Sequence, residues 1–220
     1  MKVGSIGLDY IIQKKMEYIE KHEYEEGLEG TYKGEKKAYS DIKNDLHMDA
    51  HSFVSKYVSV CENIGENSDE DISYKGIIKE IVELINPYMQ YCDSITKTNL
   101  EEKYMLKQLY EITIDDILQI KRKYIDDNEI FDKDEFYYYE SGKKDAYDEM
   151  ILEENLMEND FFIKFKSIFD ANFESIEEKR ENDYNAFINN KSANERMIGY
   201  DNAIIEILEL LRPETADEFV

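Results

Sequence analysis

Two prolines and nine glycines in 220 residues leave the chain few places where a helix is forced to stop. Proline removes a backbone donor and clashes with the preceding turn, and each glycine inside a helix costs about 1 kcal/mol relative to alanine. Strand signals, namely β-branched alternation bounded by turn clusters, do not appear. The predicted fold class is therefore all-α: about six helices, several of them long, packed as an irregular or elongated antiparallel bundle. One helical domain, 1–220, is expected, with possible sub-boundaries at the loop 65–73 and at 126–134. Hydrophobic residues at 42%, with 18 Tyr and 10 Phe, argue for a buried core rather than for disorder, since disordered acidic chains are poor in aromatics.

Apolar residues recur at helical spacing in several stretches. The strongest stripe is Phe161, Phe162, Phe165, Ile168, Phe169, Phe173 and Ile176, continued by Tyr184, Phe187 and Ile188. A second runs through Leu106, Leu109, Tyr110, Ile114, Ile117, Ile120 and Tyr124, with Thr98 and Glu101 as the expected capping box at its start. Ser192 and Glu195 repeat that spacing before Met197, Tyr200, Ile204, Ile207, Leu208 and Leu211, and Pro213 ends the run. Ile77, Ile78, Ile81, Val82 and Ile85 form another face, closed by Pro87. The first face passes through Leu8, Ile12, Met16 and Ile19, then only small residues (Gly27, Gly30, Gly34, Ala38), then Ile42, Leu46, Phe53 and Tyr57. Either another helix approaches closely there or the helix breaks, and a break between Gly27 and Gly34 is the expectation.

A Gly-x3-Ala step occurs three times, at Gly34 and Ala38, Gly142 and Ala146, and Gly199 and Ala203. Unequal separations argue against a solenoid. The echo is read as three close helix crossings, with an old duplication as the second reading.

Chemical motifs are scarce. Cys61 and Cys92 stand far apart without a CxxC and are read as reduced core residues. His47 and His51 are four apart, a spacing that places both on one helical face, but Met48 stands where a zincin carries glutamate. They are read as a solvated or hydrogen-bonded helical pair, and no metal or cofactor is expected. Glu-x-x-His, Walker A, nucleophile-elbow and dinucleotide patterns are missing. A non-enzymatic protein is the expectation. No apolar run reaches the length of a membrane span or signal peptide, so the protein is expected in the cytoplasm of a host cell, without membrane contact.

The charge is far from ordinary: 51 Asp and Glu against 27 Lys and Arg, a net of −24. That exceeds what solubility requires and costs stability through self-repulsion. Direct nucleic-acid binding is disfavoured, because Lys121, Arg122 and Lys123 form the one compact basic triplet, and it is expected at a helix C-terminus complementing the dipole.

The acids are densest from Asp126 to Asp160, where fourteen face only Lys133, Lys143 and Lys144, a local net of −11. If helical, the segment displays carboxylates at a density approaching that of duplex DNA, about one charge per 1.7 Å. Phe136, Tyr137, Tyr138 and Tyr139 are consecutive, so at least one ring should be exposed among carboxylates. The candidate partner-binding residues are Asp126, Asp127, Glu129, Asp132, Asp134, Glu135, Tyr137, Tyr138, Tyr139, Glu140, Asp145, Asp148, Glu149, Glu153 and Glu154. The expected function is an inhibitory binding protein that mimics DNA, resembling viral anti-CRISPR and anti-restriction proteins in size and charge. Its expected partner is the basic surface of a nucleic-acid-binding protein. The alternatives are an immunity or antitoxin protein capping a basic toxin, and a helical structural or assembly protein of a virus.

Overall fold

The computed structural model describes the chain except residues 23–27, 66, 88–101, 129–135, 183–189 and 220. Among the described residues there is no strand, only three isolated bridges, and the all-α expectation holds. Eight helices have 14 residues or more: α1 (Leu8–His22), α2 (Glu29–Asn44), α3 (Ala50–Asn63), α4 (Asp69–Ile85), α6 (Ile114–Asn128), α7 (Phe136–Leu152), α8 (Glu158–Asn182) and α9 (Lys191–Leu211). Among the described residues a one-turn helix α5 (Glu102–Met105) and 3-10 turns at Val3–Ser5, Leu109–Glu111 and Pro213–Phe219 accompany these.

The count exceeds six because polar caps break stripes that hydrophobic spacing alone runs together. Asp49 ends the continuous face from Ile42 to Tyr57: its carboxylate accepts from Ser52 N at 2.8 Å and opens α3. His47 therefore lies in the turn before α3, and His47 and His51 are not a pair on one helical face. The stripe from Leu106 to Tyr124 is likewise divided. Thr113 and Asp116 form the box that opens α6, with the Asp116 carboxylate accepting from Thr113 N at 3.0 Å and Asp116 N donating to Thr113 Oγ1 at 3.4 Å. Thr98 and Glu101 lie outside the described residues. Ser192 is inside α9, which begins at Lys191. The loop expected at 65–73 is shorter, because Ser68 caps α4 by accepting from Asp71 N at 3.1 Å.

Two compact units make up the chain, residues 6–120 and residues 1–5 with 121–220. In the N-terminal unit α2 lies along α4, and the core gathers Ile11, Ile12, Tyr39, Ile42, Phe53, Tyr57, Ile78 and Ile81. Gly34 sits at the α2–α4 crossing, where an added Cβ would collide with the Glu70 carbonyl and stand 2.9 Å from Tyr74 N. The close approach is real, and a break falls at the non-helical Leu28, after which α2 begins at Glu29 and carries Gly30 and Gly34 inside it; Gly27 lies outside the described residues.

In the C-terminal unit α7 lies along α9. Ala146, Tyr147, Met150, Phe161, Phe165, Ala203, Ile204, Ile207 and Leu208 are buried. A Cβ on Gly142 would collide with the Arg196 carbonyl and stand 2.9 Å from Tyr200 N, and one on Gly199 would meet the Tyr139 carbonyl. The three Gly-x3-Ala steps therefore serve two crossings, not three. In the stripe of α8 Phe161, Phe162, Phe165 and Phe169 are buried, Ile168 is half-buried, and the stripe then leaves the core with Phe173 exposed; Tyr184, Phe187 and Ile188 lie outside the described residues.

Candidate functional site

The acidic candidate face is built on the end of α6, on α7, and on the turn leading into α8. Tyr137 and Tyr138 open α7 and are 47% and 43% exposed, their rings edge to face at 5.4 Å. Tyr139 is half-buried: its hydroxyl accepts from Asn202 Nδ2 at 2.9 Å, and Lys143 Nζ stands 5.5 Å from its ring centre. This follows from the 100° step of the helix, which cannot hide three consecutive rings. Phe136 begins α7. Glu129, Asp132, Asp134 and Glu135 lie outside the described residues.

Much of the face is internally neutralised, which the sequence did not reveal. Asp126 pairs with Arg122 at 2.8 Å and with Lys144, and Asp127 with Lys123 at 3.1 Å. Arg122 also reaches Asp148 at 2.6 Å, and Arg196 reaches Asp145 at 2.6 Å. Lys164 bridges Glu149 at 3.2 Å and Glu153 at 3.0 Å, and Glu158 faces Arg212 at 3.9 Å. Glu154 accepts from Asn155 Nδ2 at 3.4 Å. Among the described residues Glu140 and Asp160 form no ion pair. The basic triplet is likewise not where the sequence put it: Lys121, Arg122 and Lys123 lie in the middle of α6 and are engaged by Glu206, Asp126, Asp148 and Asp127.

Behind the face runs a buried polar set that sequence reasoning missed. Tyr147 OH donates to Glu206 Oε2 at 2.7 Å, and Lys121 pairs with the same carboxylate. Burial works to raise the Glu206 pKa, but the Lys121 ammonium and the Tyr147 hydroxyl outweigh it and hold the carboxyl below its ordinary value. The Tyr147 hydroxyl is pushed well up by burial and then by Glu206. Tyr200 OH donates to Glu149, and burial followed by that carboxylate raises it too. Asp201 is 6% exposed, and its carboxylate accepts from Asn172 Nδ2 at 2.7 Å; burial pushes its pKa up to about 6. The sequence signal for Asp201 was a carboxylate standing on the apolar stripe three residues before Ile204.

Among the described residues no group of three or more His, Cys, Asp or Glu is placed to hold a metal. Nor, among the described residues, is any helix long and apolar enough to cross a membrane. Cys61 is a half-buried free thiol, raised by burial against the lowering pull of Lys75 and Lys79; Cys92 lies outside the described residues. No family model, curated protein or solved structure matches the chain.

Proposed function

We propose that this protein is an inhibitory binding protein whose acidic, tyrosine-bearing face around α7 occupies the basic surface of a nucleic-acid-handling protein. One comparison within the molecule carries the reading. Residues 20–52 correspond, helix for helix, to residues 126–160, yet the first stretch has nine acids against five lysines and the second fourteen against three. A local net of −4 suffices for the scaffold, so the −11 is more than the fold asks for. The excess sits beside two exposed tyrosines, whose amphipathic rings suit an interface centre ringed by charge. The ion pairs to Arg122, Lys144, Arg196 and Lys164 narrow the bare acidic display; a partner's arginines would have to compete for those carboxylates.

The test is capture from a host lysate at low salt, elution on a salt gradient, and competition by duplex DNA. Capture that weakens steeply with salt, is displaced by DNA, and falls at least tenfold in the double variant Tyr137→Ser, Tyr138→Ser is the expected result. A partner whose affinity ignores both ionic strength and DNA would overturn the proposal. A DNA-insensitive but salt-sensitive single partner would favour the toxin-capping alternative.

A further inference from the structure

The correspondence between the two units extends to most of the chain. Shifted by 106, residues 6–22 and 112–128 share seven of seventeen identities: Ile6, Asp9, Ile11, Gln13, Lys15, Tyr18 and Ile19 recur as Ile112, Asp115, Ile117, Gln119, Lys121, Tyr124 and Ile125. At a shift of 108, Gly34, Ala38, Tyr39, Phe53 and Lys56 recur as Gly142, Ala146, Tyr147, Phe161 and Lys164. At 126, Tyr74, Ile78, Glu80, Ile81, Glu83, Leu84 and Pro87 recur as Tyr200, Ile204, Glu206, Ile207, Glu209, Leu210 and Pro213. The shift changes only between helices or where α8 exceeds α3, by 25 residues to 14, as insertions into a repeat should.

The contacts recur with the residues. Tyr74 OH donates to Asp41 at 3.0 Å as Tyr200 OH does to Glu149. Lys15 pairs with Glu80 as Lys121 does with Glu206. Lys56 pairs with Asp45 and lies 5.1 Å over Tyr57, as Lys164 pairs with Glu153 and lies 5.2 Å over Phe165. The rings of Phe53 and Tyr57 meet tilted with centroids 4.4 Å apart, those of Phe161 and Phe165 likewise at 4.5 Å. Agreement at this level in sequence and hydrogen bonding is not an accident of helical composition.

The segment leading into each repeat lies on the other repeat. Val3 N donates to Leu156 O at 3.0 Å, Gly4 N to Glu154 O at 2.8 Å, and Glu158 N to Met1 O at 2.9 Å. Their equivalents are Leu109 N to Met48 O at 2.9 Å, Tyr110 N to Leu46 O at 3.1 Å, and Ala50 N to Lys107 O at 2.9 Å. Even the isolated bridges match, Lys2 with Met157 and Gln108 with Asp49. The third bridge, Gly7 with Thr113, joins two positions that are each other's equivalents. It is flanked by Leu8 N to Ile112 O and Ile114 N to Ile6 O, both 2.9 Å, and these bonds exchange with one another when the repeats are exchanged. Self-complementary pairing of this kind is how two identical chains meet.

We propose that the chain is two fused copies of one module, and that the turns 46–50 and 154–158 are docking sites whose occupant is the leader of a second copy: residues 107–111 on the first, residues 1–5 on the second. Val3 and Leu109 are the equivalent anchors, both fully buried.

The test uses the full chain with a protease site placed after Asp93, between the repeats, cut once folded and then sized at native and denaturing conditions. Because each fragment contributes a leader to the other fragment's helices, the two should co-elute at the mass of the intact chain and part only in denaturant. Val3→Ala and Leu109→Ala should each weaken fragment association about tenfold or more, whereas Ser5→Ala, at an exposed leader position, should leave it within about twofold. Fragments that separate without denaturant, or an association indifferent to both anchors, would overturn the proposal.

Discussion

The α2–α4 and α7–α9 pairs are the same structure executed with different surfaces. Each has a glycine where the helices meet, with a would-be Cβ 2.9 Å from a tyrosine amide. Each also has a tyrosine hydroxyl on a carboxylate across the crossing and a lysine–glutamate pair beside it. Much of what survives in both is buried, Tyr39 and Tyr147, Phe53 and Phe161, Ile78 and Ile204 among it. What differs, above all the acid excess between Asp126 and Asp160, is among the described residues mostly neutralised by partners on the same unit. The lesson is that inner polar residues answer to the fold, and the surplus charge has to be explained by something else.

The largest expected effect breaks the crossings themselves. Gly142→Ala puts a methyl into the Arg196 carbonyl, and Gly34→Ala puts one into that of Glu70. Backbone cannot step aside as a side-chain tip can, so Gly142→Ala should cost about 3 kcal/mol or more and Gly34→Ala somewhat less, at the upper part of the overpacking range. Gly199→Ala added to Gly142→Ala should cost less than its single effect, because the crossing is already forced apart. Gly76→Ala is the control: nothing lies within 4 Å, and alanine should stabilise α4 by about 0.5–1 kcal/mol. Urea melts of the five variants, the Gly199→Ala single and the double included, check the set.

Next in size is a place where the copies differ inside. Asp201 is buried in α9, and its equivalent in α4 is Lys75, which is half-buried. With its pKa raised from 3.8 to about 6 by burial, the folded state binds a proton more tightly than the unfolded one. Stability from this group is therefore full below the ordinary value and is lost as pH rises through about 6. Asp201→Asn, which can keep a bond to Asn172, should raise stability at pH 8 by up to about 3 kcal/mol, with the gain vanishing below about pH 4. Thermal melts of both proteins from pH 4 to 8 measure it, and a gain independent of pH would show that burial does not shift the Asp201 carboxyl between the unfolded and folded states.

These cases also mark how far the sequence reaches. The helical class was legible because breakers are few and the stripes at Phe161, Ile204 and Ile78 follow one period. The breaks at Asp49 and Thr113 were not, since a cap is one short side chain whose effect depends on a bond to a backbone amide, whereas hydrophobic spacing runs past it. Glycine spacing announced close crossings, but only the fold shows that Gly142 and Gly199 share one. The repeat stayed hidden because its shift changes twice, so no single period exists to find. On the candidate face, exposure of Tyr137 and Tyr138 followed from helical geometry. The pairing of Asp145 and Glu158 did not, because Arg196 and Arg212 come from distant parts of the chain.

The smallest effect sharpens the comparison at the recurring lysine–glutamate pair, which the two units hold at different depth. The Lys121 side chain is 12% exposed and its Glu206 partner 33%; for Lys15 and Glu80 the figures are 18% and 39%, at a looser 3.5 Å. Glu206 also takes the Tyr147 hydroxyl, so Glu206→Ala strands two buried donors. The loss should be about 1–3 kcal/mol, below the roughly 3–5 kcal/mol of a fully buried pair because a third of the glutamate meets water. Glu80→Ala should cost no more than about 1 kcal/mol. If the two variants lose equal stability in urea, depth is not what separates the pairs, and their recurrence would have to be credited to orientation of the helices rather than to burial of charge.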